Sequence, residues 1–84
     1  MSGGMSHEET LDCRGLLCPL PALKARERLA LLDTGDYLVV LCTDPASVID
    51  IPALCDETGD LLREQAESAL GEFRFRIQRT TRPA

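Results

Sequence analysis

One cysteine in this sequence stands where a thiol can work as a nucleophile. In Leu16-Leu17-Cys18-Pro19-Leu20-Pro21, Cys18 directly precedes a segment of helix-forming residues that opens with two prolines. That position sets the sulfur near unpaired N–H groups and the positive end of a helix dipole, which favour thiolate over thiol. The dipole alone does not suffice, because a free thiol is only about 3% ionised at pH 7 and a dipole lowers its pKa by less than about one unit. Pro19 and Pro21 carry no N–H, so Leu20 and Ala22 are the backbone donors of the first turn. A cation must therefore contribute, and Arg14, on the stretch leading in, is the nearest in sequence. The prolines are read as shape. Each fixes φ near about −65°, and together they hold Cys18 on a rigid corner that another protein's active site can receive.

The other three cysteines read differently. Cys13 alternates with Asp12 on an extended piece and is expected to be a core thiol, with a resolving role toward Cys18 as the alternative. Cys42 ends an apolar run and Cys55 lies on an apolar helical stripe, so both are expected in the core. Metal ligands come in short-spaced pairs, whereas these cysteines are separated by four, 23 and 12 residues and His7 is the only histidine. No metal site is expected. Arg74, Arg76 and Arg79, with Arg63, form a basic stripe that is either a face for an acidic partner or a solvated strand surface; Asp56, Glu57 and Asp60 read as solvated surface.

The elements that must position Cys18 follow from hydrophobic period. Leu11 and Cys13 flank Asp12 in a short strand, and Gly15 punctuates it. From Pro19 to about Asp33, Ala22, Ala25, Leu29 and Leu32 fall on one helical face. After Gly35 the run Tyr37–Thr43 is apolar at nearly every position, as in a central strand. Asp44-Pro45 predicts a second helix start, with an Asp cap and proline at the first helical position, running to about Thr58 with Val48, Ile51, Pro52 and Cys55 inward and a bend at Pro52. Leu61 to Glu67 is a weaker strand, and Phe73 to Arg79 alternates almost strictly. The order β-α-β-α-β-β predicts an α+β fold, a two-layer sandwich with both helices on one face of a four-stranded mixed sheet.

Composition limits what such a unit does. The chain has 84 residues, 14 acidic against 9 basic, for a formal charge of −5. That is one small domain, with residues 1–9 expected as a disordered tail, 10–79 as the folded unit and 80–84 as a frayed end. No apolar run approaches the roughly 20 residues that span a bilayer, and no export signal is seen, so a cytoplasmic location with free thiols is expected. The acidic balance argues against direct nucleic-acid binding.

Cys18-Pro19-Leu20-Pro21, preceded by Leu11-Asp12-x-x-Gly15-Leu16, resembles the Cys-Pro-x-Pro signature of the TusA/SirA family of sulfur carriers. The resemblance extends to Gly35-Asp36, Thr43-Asp44-Pro45, Asp50-Ile51-Pro52 and an aromatic-Arg-aromatic last strand. It implies the same β-α-β-α-β-β fold. It also implies that Cys18 accepts a sulfane sulfur as a persulfide and passes it on, framed by Pro19 and Pro21; Arg14 and Gly15 are read beside them as shaping the site. No cofactor is implied beyond the transient persulfide, since thiolate exchange needs neither metal nor redox group. The implied partners are a cysteine desulfurase or other sulfur donor and a downstream acceptor protein, with the chain itself a monomer; tRNA thiolation, sulfur oxidation and cofactor supply are the pathways such proteins serve. Two departures stand out: Gly59-Asp60 replaces the family's frequent Gly-His, and Thr43 replaces the first Asp of Asp-Asp-Pro. The competing readings are a regulatory docking module that transfers no sulfur and a redox sensor pairing Cys13 with Cys18.

Overall fold

The computed structural model describes residues 7–80. Six elements follow in the expected order: β1 (Glu8–Cys13), α1 (Leu20–Leu31), β2 (Tyr37–Cys42), α2 (Ser47–Thr58), β3 (Leu61–Glu67) and β4 (Phe73–Gln78). They build one four-stranded mixed sheet in the order β1-β2-β4-β3. β1 runs parallel to β2, while β4 is antiparallel to both of its neighbours, β2 and β3. A parallel pair needs a crossover, which α1 supplies; the antiparallel β3–β4 pair closes through a short turn.

Why the sheet has this order is visible in burial. β2 is the most apolar strand and takes the inside position, with Leu38, Val39, Val40 and Cys42 all buried. On β4 the alternation is realised residue by residue: Phe73, Phe75 and Ile77 are buried, and Arg74, Arg76 and Gln78 between them are half-buried on the other face. Register aligns the inward residues of the two strands, with Leu38 opposite Ile77, Val40 opposite Phe75 and Cys42 opposite Phe73. Ala25 and Leu29 from the first helix, Leu32 just past its end, and Ile51, Leu54 and Cys55 from the second helix pack onto this face, making a single core. Burying such side chains supplies the main drive to fold at about 25 cal/mol per Å² of apolar surface.

Several boundaries differ from the sequence expectation. β1 starts at Glu8 rather than after residue 9, because Glu8 pairs in register with Tyr37 and Arg28 and Arg76 hold Glu9 and Glu8 at 2.6 and 3.0 Å. Thr80 is ordered too, its N–H donating to Asp60 and its hydroxyl to the Gly59 carbonyl; the rest of the expected tails, 1–6 and 81–84, lie outside the described residues. α1 ends at Leu31, two residues early, where the Arg79 guanidinium donates to the Leu29 and Leu32 carbonyls. α2 begins at Ser47 rather than at Pro45, since Pro45 and Ala46 form a turn ahead of it. Its inward stripe is Ser47, Ile51, Leu54 and Cys55, which leaves Val48 exposed and Pro52 only half-buried. The helix runs through Pro52 and ends at Gly59, whose φ of 82° is the left-handed cap geometry glycine adopts without a Cβ clash.

Candidate functional site

Cys18 sits in the loop between β1 and α1, at the end of the sandwich where α2 also begins. The Asp44 carboxylate draws this corner together. One oxygen accepts the Cys18 N–H at 2.7 Å and the other accepts the Ala46 N–H at 3.1 Å, so one side chain ties the cysteine loop to the entry of α2. Those backbone donors hold the Asp44 carboxyl below its usual range. Thr43 makes a second tie, its hydroxyl oxygen accepting the Gly15 N–H at 2.8 Å. Gly15 itself has φ of 84°, which a side chain adopts only with strain. Threonine in place of an acid thus keeps a hydrogen bond that shapes the loop.

The two prolines have separate jobs. Pro19 is the N-cap of α1 at φ −100° rather than its first residue, and its carbonyl accepts the Leu23 N–H at 3.1 Å. The Cys18–Pro19 peptide is cis. Pro21, the second residue of the helix, is fully buried and anchors the helix start to the core. Cys18 therefore lies one position farther from the helix entrance than the sequence predicts.

Of the four cysteines, all free thiols, only Cys18 is exposed; Cys13, Cys42 and Cys55 are buried. Burial pushes the Cys42 and Cys55 thiols up to about 11 and raises Cys13 as well, so these three are poor nucleophiles. Cys18 is accessible, and its carboxylate surroundings work against the partial ionisation that its place before the helix predicts. The Asp50 carboxylate first, then Asp44, favours the protonated form and pushes the thiol above its ordinary value. Among the described residues no cation offsets this. Arg14 folds back onto Asp12 through contacts of 2.8 and 2.9 Å and reaches Glu72 at 3.6 Å, holding the Asp12 carboxyl at about 2. The expected role of Arg14 as activator is thereby replaced by a role in the loop.

Asp44, read in the sequence only as a helix cap, is thus a direct partner of the Cys18 main chain, and Asp50, given no role there, is the carboxylate that acts most on its thiol. The signal for Asp44 was its cap position; Asp50 had only its place in an Asp-Ile-Pro triplet. Beside them an open groove of about 280 Å³ runs between the helices, lined by Pro19, Leu23, Asp50, Leu54 and the ion-paired Arg26 and Glu57. Leu17, Leu20 and Ile49 are exposed large apolar side chains of the flanking loop and helix starts.

The charged stripe on β4 is not a free basic face. Arg74 pairs with Glu64 at 2.8 Å, Arg76 pairs with Glu8 while lying 3.7 Å over the Tyr37 ring, and Arg63 donates to Gln78. Arg79 turns toward α1 instead. Glu57 faces Arg26, and Asp60, expected on the surface, is buried against Thr58 and Thr80. Among the described residues no group of three or more His, Cys, Asp or Glu is placed to hold a metal ion, and no helix is long and apolar enough to cross a membrane.

Comparison with known proteins agrees with this arrangement. The family model described as "Sulfurtransferase TusA" matches residues 9–79. The sulfur carrier protein TusA of Allochromatium vinosum is 41% identical over 73 residues, 87% of this chain and 95% of that protein. A putative sulfur carrier protein of Neisseria meningitidis serogroup A is 46% identical over 72 residues, covering 86% and 96%. The crystal structure of a SirA-like protein from Desulfitobacterium hafniense superposes with a TM-score of 0.77 at 26% identity, covering 87% of this chain and 99% of that one. With the motif, the fold and these relatives in agreement, the chain belongs to the TusA family of sulfur carriers.

Proposed function

We propose that this chain is a sulfurtransferase of the relay type, which accepts a sulfane sulfur on Cys18 as a persulfide and hands it to an acceptor thiol. The observation that carries the reading is the segregation of the cysteines: one exposed thiol on a tethered, proline-framed corner, three sealed in the core. A relay must meet two different active sites in turn, and an accessible corner serves that better than an enclosed pocket. Exchange between thiols and persulfides is redox-neutral, so the exposed thiol itself is the reacting group. The partners in this reading are a protein persulfide donor, such as a cysteine desulfurase, and an acceptor protein, with 2-thiouridine synthesis in tRNA one of the pathways it suits.

Incubation with a cysteine desulfurase and cysteine should add about 32 Da per sulfur to the protein, removable by reductant. Cys18→Ser should abolish the gain, whereas Cys55→Ser should keep it. Equal labelling of the Cys18→Ser protein would end this reading.

A further inference from the structure

The sulfur of a carrier has to meet a donor persulfide in line with the S–S bond it breaks, and a docked protein delivers it there only if the sulfur keeps a fixed place on its surface. We propose that Asp44 is a positioning residue for sulfur transfer: its carboxylate, bridging the Cys18 and Ala46 N–H groups, holds the thiol-bearing corner in the pose that a donor active site meets, with the Thr43 hydroxyl as second anchor. This deepens the relay reading above and rests on Cys18 being the sulfur-bearing residue.

The part of the loop that carries the thiol has little packing of its own. Leu16 packs against the core, but Leu17 and Cys18 are exposed. Hydrogen bonds to the β2–α2 connection fix it instead, Cys18 N–H to Asp44 at 2.7 Å and Gly15 N–H to Thr43 at 2.8 Å. The bonds from Leu16 N–H to the Cys13 carbonyl and from Leu20 N–H to the Leu17 carbonyl stay local and set only the turns of the loop. Asp44 is itself firmly held. It is half-buried, its second carboxylate oxygen accepts the Ala46 N–H at 3.1 Å, and its carbonyl accepts the Ser47 N–H at 3.0 Å. The chain on either side of it is sealed in, at Cys42 and at Ser47. The bond to Cys18 is charge-assisted and so about twice as strong as a neutral one. Without it the corner would have to be ordered anew at each encounter, which burdens the transfer step.

The step being positioned is a redox-neutral exchange. The Cys18 thiol gives its proton to solvent, and its sulfur attacks the terminal sulfur of a donor R–S–SH. The new S–S bond forms as that of the donor breaks; R–S⁻ leaves with the bonding pair and takes up a proton, giving Cys18–S–SH and R–SH. Asp44 acts through the main chain and exchanges neither proton nor electron.

The test is single-turnover transfer from a cysteine desulfurase pre-charged with radiosulfur to the full chain, with the rate followed against carrier concentration. Asp44→Ala should lower the maximal rate about 10- to 100-fold at an unchanged half-saturating concentration, since a misplacement of about 1 Å can cost about 100-fold. Asp44→Asn, which keeps one acceptor, should lose less. Thr43→Val, which removes one neutral hydrogen bond, should lose about threefold, and Thr43→Ser should match wild type. Alkylation of Cys18 by iodoacetamide, which requires no docking, should slow in none of them. Should urea unfolding show that Asp44→Ala does not fold, Asp44→Asn and Thr43→Val decide the question. Maximal rates equal to wild type would overturn the proposal. So would a raised half-saturating concentration at an unchanged maximal rate, which makes Asp44 a docking contact, and so would slowed alkylation, which reports a damaged corner rather than a misplaced one. A wild-type protein that takes no label on Cys18 would overturn the relay reading, and the positioning role would fall with it.

Discussion

The buried thiols make stability fall steeply in alkali, and the size of the fall can be worked out. Cys42 is fully buried between Cys13 on β1 and Phe73 on β4, and Cys55 is almost as deep under α2. Both are pushed from 9.0 to about 11 by loss of water. A group whose pKa is raised by folding contributes stability that is fully present below its unfolded value and is lost as pH rises through the folded one. The window is therefore pH 9 to about 11. At about 1.4 kcal/mol per pH unit, a two-unit gap costs up to about 2.7 kcal/mol for each thiol, so the pair removes on the order of 5 kcal/mol. A domain of this size has a total stability of about 4–13 kcal/mol, which makes the loss decisive. Urea unfolding of the reduced protein at pH 7.5, 9, 10 and 11 measures it. The midpoint should hold to about pH 9 and then drop, whereas Cys42→Ala/Cys55→Ala, less stable at neutral pH, should show a much flatter decline. If the double variant declines as steeply as wild type, the thiols are not responsible and the assignment of the core fails.

Two further outcomes test the frame of the site. Gly59→Ala places a side chain at φ 82° in open space, so strain alone should cost about 1 kcal/mol and lower Tm by about 4–8 °C in a thermal melt. Arg14→Ala should leave the rate of Cys18 alkylation at neutral pH unchanged, because Arg14 is held by Asp12 and Glu72; a marked slowing would restore it as an activator of the thiol.

Most of the fold was legible because its strongest signals are local. The unbroken apolar run of β2, the strict alternation of Phe73, Phe75 and Ile77, and the Ala25–Leu29–Leu32 stripe each identify an element without knowledge of the others. What escaped depends on partners distant in sequence. Glu8 and Glu9 look like tail residues until Tyr37, Arg28 and Arg76 are brought beside them. The inward face of α2 was misjudged because Ile51 and Cys55 are shared by two overlapping stripes, and packing on the sheet selects the one with Ser47 and Leu54 over the one with Val48 and Pro52. At the site, the accessible cysteine and its prolines could be read from the motif, but its electrostatics could not. Arg14 is close to Cys18 in sequence, yet Asp12, two residues before Arg14, captures it first. Asp50 lies 32 residues on, and the Asp44 carboxylate, bridging Cys18 N–H and Ala46 N–H, is what ties the entry of α2 to the cysteine loop.

Whether sulfur passes through Cys18 is best asked in a single turnover. Protein loaded with radiosulfur from a cysteine desulfurase, freed of donor and digested without reductant, should carry the label on the peptide containing Cys18 and lose it to an added thiol acceptor in one exponential phase. Label on the Cys13, Cys42 or Cys55 peptides, or label on Cys18 that no thiol removes, would contradict the account.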